Sequence, residues 1–142
     1  MSYPMSDAER RVFLMHGTHT AKVATTRADG RPHVAPVWFV LDDDDVIFTT
    51  GAGTVKGKTL QRDPRVSVVV DQETEPFAFV VIDGIAEVSF DHDDLLHWAT
   101  ALGARYMGAD RAEEFGRRNA GPSELLVRVR PSRIVAIGGM TD

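Results

Sequence analysis

The chain has 142 residues, 43% hydrophobic and 26% charged, a globular composition that allows one domain with one ordinary core and excludes a disordered chain. It has no cysteine, which excludes disulfides, thiolate metal sites and a cysteine nucleophile. A formal net charge of −5 argues against a general nucleic-acid partner, and no apolar run approaches the roughly 18 residues that would span a membrane. The first fifteen residues carry acidic side chains and lack the apolar stretch of a secretory signal, so a cytoplasmic protein is expected. No internal repeat or linker divides residues 1–142, which are read as a single domain.

Ser6 to Glu9 has the form of a capping box, with Ser6 as N-cap and Glu9 three residues on. Val12, Phe13 and Met15 are expected on the buried face of the helix that follows, which should end at Gly17. The next segment predicts a hairpin around Asp29-Gly30, with Ala21, Val23 and Thr25 alternating against Lys22, Ala24 and Thr26. Pro36 in its second arm cannot donate to a ladder, so it belongs at a bulge or an open edge. Asp42 to Asp45 reads as a solvated turn, and residues 46–50 as a strand. Residues 66–71 predict a buried strand, and 77–90 a long strand or a bent pair around Gly84. Leu95, Leu96, Ala99, Leu102 and Tyr106 lie near helical spacing, and a short helix is expected over 110–119. The alternation from Leu126 to Arg130 closes the chain with one or two strands. The expected fold is mainly β: six to seven antiparallel strands in a small barrel with flanking helices.

Residues 49–65 carry the most chemistry. From Thr54 to Arg65 the segment holds Lys56, Lys58, Arg62 and Arg65 against Asp63 alone, a charge of +3 that leaves −8 on the rest of the chain. A small basic patch on an acidic protein suits a small anion better than a long polyanion. Thr49, Thr50, Gly51, Gly53 and Thr54 offer hydroxyls and backbone N–H groups that a ligand can approach closely. The stretch from Ala52 to Thr59 imitates a nucleotide-triphosphate loop, but Asp63-Pro64 leaves no room for the helix and crossover that such a loop needs. Gly51-Ala-Gly53 is only half of a dinucleotide fingerprint. Lys56 and Lys58 share a face, and so one phosphate, only if this stretch is partly extended. A solvated basic turn is the alternative.

Together, the hairpin with Pro36-Val37-Trp38-Phe39 and the stretch from Ile47 to Asp71 resemble the split β-barrel flavin/deazaflavin family related to pyridoxamine 5′-phosphate oxidase. The resemblance is strongest to its deazaflavin (coenzyme F-420)-dependent reductases. It covers residues 10–90, thins over the helices at 92–119 and returns weakly near the C-terminus. It implies an FMN-binding-like split barrel that forms a homodimer with the cofactor in the subunit interface. It further implies that Lys56 and Lys58 hold the cofactor phosphate and that Thr50 and Thr54 donate hydroxyls. The backbone at Pro36, Val37 and Trp38 would face the ring system, and Phe77 of a second subunit would cover its other side. Relatives often place an arginine where this chain has Thr54, which weakens the case for FMN.

The five histidines, His16, His19, His33, His92 and His97, show no metal spacing, and no Ser/His/Asp triad can be named, so no catalytic side chain and no metal ligand is assigned. Hydride transfer fits this, because the cofactor carries the reaction and the protein supplies binding and orientation. Trp38 is either a pocket wall or a packed barrel residue. Arg62 and Arg65 either lengthen the basic track, which favours the deazaflavin tail, or form surface ion pairs. The expected activity is F-420-dependent reduction of a conjugated small molecule: a quinone, an enone, a tetrapyrrole or a nitro compound. The alternatives are an FMN-dependent oxidase or flavin reductase of the same fold, and a non-catalytic carrier of the cofactor or of haem.

Overall fold

The computed structural model describes all residues, Met1–Asp142. Ser6 caps the first helix as the sequence predicts, its hydroxyl accepting the Glu9 N–H while the Glu9 carboxylate accepts the Ser6 N–H. That helix, α1, spans Asp7–Met15 after a two-residue strand β1 (Tyr3–Pro4). Its inward face differs from the expected one. Leu14 and Arg10 are buried, whereas Val12 and Met15 are exposed and Phe13 is partly covered. Arg10 turns inward because two carboxylates meet it, Asp7 and Asp44, each at 2.8 Å.

β2 (Ala21–Thr26) and β3 (Pro32–Val37) form the expected hairpin. The Gly30 N–H bonds the Arg27 carbonyl and Gly30 takes φ +88°, a left-handed position that glycine adopts without strain. The Arg31 carbonyl accepts the Arg27 N–H, so the loop spans three residues, Ala28 to Gly30, rather than two. β3 is the last strand on one side of the sheet, which is where Pro36 can sit without breaking a ladder. β4 (Val40–Asp42) and β5 (Asp45–Gly51) follow, joined at Asp43-Asp44. The acidic turn is not simply solvated: Asp44 receives Arg10 and Arg11, and Asp42 and Asp45 receive Arg128.

Helix α2 (Val55–Arg62) leads into β6 (Arg65–Gln72) and β7 (Ala78–Ser89). α3 (His92–Met107), a 3-10 turn and α4 (Ala112–Asn119) precede the fifteen-residue β8 (Glu124–Gly138). β7 is one long strand with an irregularity at Asp83/Gly84, where Gly84 pairs with Pro131 and Ser132 is left over on β8. A Cβ on Gly84 would stand 2.6 Å from the Arg130 carbonyl oxygen, so a larger residue does not fit there.

All pairings are antiparallel, in the order β3-β2-β6-β7-β8-β5-β4, with β1 beside β8. The eight strands exceed the expected six to seven, because the short β1 and β4 carry too few residues to show a period. One face of β2, β3, β5, β6, β7 and β8 converges on a single core that includes Val23, Val37, Phe48, Val68, Val80 and Leu125. Strands from both ends of the sheet therefore meet in one interior, as a curled barrel requires. The outer face of β5 and β8, through Ile47 and Leu126, packs on Leu95, Ala99 and Leu102 of α3. No helix is long and apolar enough to cross a membrane.

Candidate functional site

A cleft of about 310 Å³ opens where the end of β3, the end of β5, the start of α2 and the start of β8 meet beside α3 and α4. Pro36, Val37, Trp38, Thr49, Thr50, Gly51, Thr54 and Lys56 line it. Its volume is at the low end of the range for small-molecule sites. Leu102, Asn119 and Glu124 complete the wall. None of these three carries a sequence signal of function: Leu102 reads as helix core, and Glu124 reaches the cleft only because β8 pairs with β5 in a register that sets it opposite Gly51.

Lys58 and Phe77 are not brought to this cleft. Thr54 is the N-cap of α2, so the helix has begun before either lysine and the two point to different faces. Lys56 is half-buried in the cleft, whereas Lys58 is exposed outside it. Arg65 is paired with Asp63 at 2.8 Å, and Arg62 donates to the Thr26 carbonyl at 2.7 Å, so both are already engaged away from the cleft. Phe77 lies beyond β6 at the start of β7, held by the Thr74 carbonyl on its N–H. Any role for it in the cleft requires a second copy of the chain.

The loop before α2 is tightly tied. The Thr54 hydroxyl donates to the Gly51 carbonyl at 2.8 Å and accepts the Gly57 N–H at 3.1 Å. The Thr50 hydroxyl lies 3.2 Å from it, at hydrogen-bond distance. A Cβ on Gly57 would overlap the Gly51 carbonyl oxygen, which explains the glycine between the two lysines. The Ala52 N–H bonds the Ser123 carbonyl, fixing the loop to the lead-in of β8. These bonds leave the N–H groups of Val55 and Lys56 without a partner at the positive end of the α2 dipole. Lys56 forms no ion pair. Burial pushes its ammonium below the usual 10.5, and the Glu124 carboxylate partly pulls it back. A desolvated, unpaired lysine beside two free amides is a donor set that fits one phosphate of a flavin-like cofactor.

The opposite wall is apolar and braced. The Trp38 ring stacks on Tyr106, with centroids 4.8 Å apart and planes 3° apart, and Phe115 leans on it at 6.0 Å. The Tyr106 hydroxyl accepts the Phe39 N–H at 3.0 Å and donates to the His19 carbonyl at 2.6 Å. The Arg105 guanidinium lies over the Phe39 and Tyr106 rings and donates to the Leu14 and Phe39 carbonyls. Trp38 is thus both a packed residue and a cleft wall. None of the five histidines lines the cleft.

The fold has several solved likenesses. A conserved hypothetical protein from Mycobacterium tuberculosis superposes with a TM-score of 0.85 at 26% identity, over 96% of this chain and 87% of that one. An F420 reductase superposes with a TM-score of 0.72 at 22% identity, over 87% of this chain and 94% of that one. The haem storage protein HutZ of Vibrio cholerae superposes with a TM-score of 0.75 at 18% identity, over 97% of this chain and the whole of that one. At the identities of the last two, the likeness is one of fold. The family model for pyridoxamine 5′-phosphate oxidase matches residues 7–137, from the first helix to the last residues of β8. Since that match takes in the Trp38 wall, the Thr54 loop and Lys56 together, the chain belongs to the pyridoxamine 5′-phosphate oxidase family.

Proposed function

We propose that this chain is an oxidoreductase that uses coenzyme F-420 to reduce a conjugated small molecule such as a quinone, an enone, a tetrapyrrole or a nitro compound. The observation that carries the reading is Lys56, half-buried and unpaired beside the free N–H groups of Val55 and Lys56. Those groups would hold the phosphate of the cofactor, and the Pro36-Val37-Trp38 strand end would flank its ring system. Thr54, where relatives often have an arginine, leaves a single lysine in the cleft, which suits a phosphodiester better than a compact dianion. The reduced deazaflavin supplies the hydride. The chain's own part is to bind the anion, to keep Trp38 in place through Tyr106, and to shield one side of the cleft from water with Leu102 and Trp38. We further propose a homodimer, in which Phe77 of one copy reaches the cleft of the other.

A second reading, FMN in the same cleft, is favoured by one observation. The basic track that would serve a longer tail is short, because Arg62 and Arg65 are engaged with Thr26 and Asp63. Fluorescence titrations with F-420 and with FMN, at low and high ionic strength, separate the two. The expected result is tighter binding of F-420, with the gap narrowing as salt rises. Tighter binding of FMN under both conditions transfers the assignment to FMN. Binding of haem alone, without turnover of a substrate panel, makes the chain a carrier. Light scattering at micromolar concentration tests the dimer, and a monomer removes the role given to Phe77.

A further inference from the structure

Glu124 is the least expected group in the cleft. It opens β8, its Cα stands opposite that of Gly51, and its Oε1 lies 3.9 Å from where a Cβ on Gly51 would be. It therefore sits against the loop whose far end presents the free N–H groups of Val55 and Lys56. Its carboxylate makes no hydrogen bond and no ion pair, although Lys56 lines the same cleft of about 310 Å³. Elsewhere in the chain, Asp44, Asp45, Asp63 and Glu87 all carry an arginine partner. Here a cation and a carboxylate share a small cleft and are kept apart.

We propose that Glu124 sets the charge selectivity of the cleft, so that it accepts a singly charged phosphodiester and turns away a doubly charged phosphomonoester. The inference rests on the reading of this cleft as the anion site of a cofactor. Attraction to Lys56 and the α2 dipole grows in proportion to the charge of the ligand, whereas the cost of stripping water from an ion grows as its square. With Glu124 offsetting Lys56, the remaining attraction covers the cost of one charge and not of two. A deazaflavin phosphodiester meets that condition, and the monoester of FMN does not.

Replacing the charge tests this directly. Coulombic repulsion is linear in ligand charge, so the factor by which Glu124→Gln strengthens a dianion is the square of its factor for a monoanion. A roughly threefold gain for a diester then implies a roughly tenfold gain for a monoester. Dimethyl phosphate and methyl phosphate serve as probes at about pH 8, where the monoester carries two charges. Binding is followed on the amide signals of Val55 and Lys56 by heteronuclear NMR, with thermal melting to show that the variant is folded. Wild-type protein should bind the diester more tightly, and Glu124→Gln should move the ratio toward the monoester by about threefold or more. A wild-type preference for methyl phosphate, an unchanged ratio in the variant, or no shift of either amide overturns the proposal. If Glu124→Gln does not fold, the wild-type preference alone decides. F-420 titrated in parallel keeps the two ideas separate. Diester selectivity without F-420 binding leaves the role of Glu124 standing and removes the deazaflavin, and tight F-420 binding with a monoester preference does the reverse.

Discussion

The two ends of β5 treat charge in opposite ways. At the Asp45 end, Arg128 reaches Asp42 and Asp45 at 2.9 Å, and Arg10 and Arg11 both reach Asp44 at 2.8 Å. At the Gly51 end, about 20 Å away along a strand of this length, Lys56 and Glu124 face one cleft and neither has a partner. Charges that the chain pairs with itself fix α1, β4, β5 and β8 against one another. In the function proposed above, the charges that it leaves unpaired, in a half-buried place where that is costly, are the ones held for a group outside the chain. On that proposal, the Asp45 end supports the fold and the Gly51 end binds, and single substitutions can break the distinction.

The largest effect should come from Arg10. Its side chain is 8% exposed and joins Asp7 to Asp44, so Arg10→Ala removes two charge-assisted hydrogen bonds and leaves a gap under α1. We expect a loss of about 3 kcal/mol in urea denaturation, with unaltered cofactor affinity in the fraction that stays folded. A loss of affinity at unchanged stability would erase the distinction between the two ends.

Lys56 should give the reverse pattern. Lys56→Ala is expected to weaken cofactor binding by about 2 kcal/mol, the scale of a charge-assisted hydrogen bond. Removing an unpaired lysine should leave the denaturation midpoint where it was. Equal binding by the variant in a fluorescence titration would remove the phosphate assignment.

Asp44 gives the paired end a pH signature. The Arg11 guanidinium hydrogen-bonded to it, and then Arg10, hold its carboxyl down to about 2 from the ordinary 3.8. A carboxyl depressed on folding contributes stability that is complete above 3.8 and is lost as pH falls through about 2. Asp44 is 38% exposed, so the contribution is modest, under about 1 kcal/mol, and weakened by salt. Asp44→Asn should flatten the stability profile between those two pH values and do nothing to it at neutral pH beyond a constant offset. A variant whose profile keeps the wild-type slope there would show that the pairing is not what supports the corner.

How far each end could be read from the sequence follows from the distance between its parts. The Trp38 wall and the Thr49–Lys56 loop are legible because β4 and β5 bring them together within twenty residues, and Gly84 is legible because a glycine inside an apolar strand marks an irregularity. Arg10 was not: its partner Asp44 is 34 residues away, and without that partner the spacing of Val12 and Met15 argues as well for the face that proves exposed. Glu124 was not, because its place depends on the pairing of β8 with β5 across more than seventy residues. Lys58 is an intermediate case. Thr54 is a good N-cap residue, and giving weight to it would have started the helix before Lys56 and separated the two lysines.

That separation yields the smallest expected effect and the finest test of the comparison. If α2 is helical from Val55 when the cofactor is bound, Lys58 points away from the cleft and belongs with neither end of β5. It has no ion pair to lose and no phosphate to release, so Lys58→Ala should change both stability and cofactor affinity by less than about 0.5 kcal/mol. Unwinding of the first turn on binding would bring the two lysines to one side, as alternate residues of an extended stretch share a face. Lys58→Ala would then weaken binding by nearly as much as Lys56→Ala, and the double variant would lose less than the sum, since both would serve one phosphate. Titrations of the two single variants and the double variant at fixed salt distinguish a cleft that is already formed from one that the cofactor must rebuild.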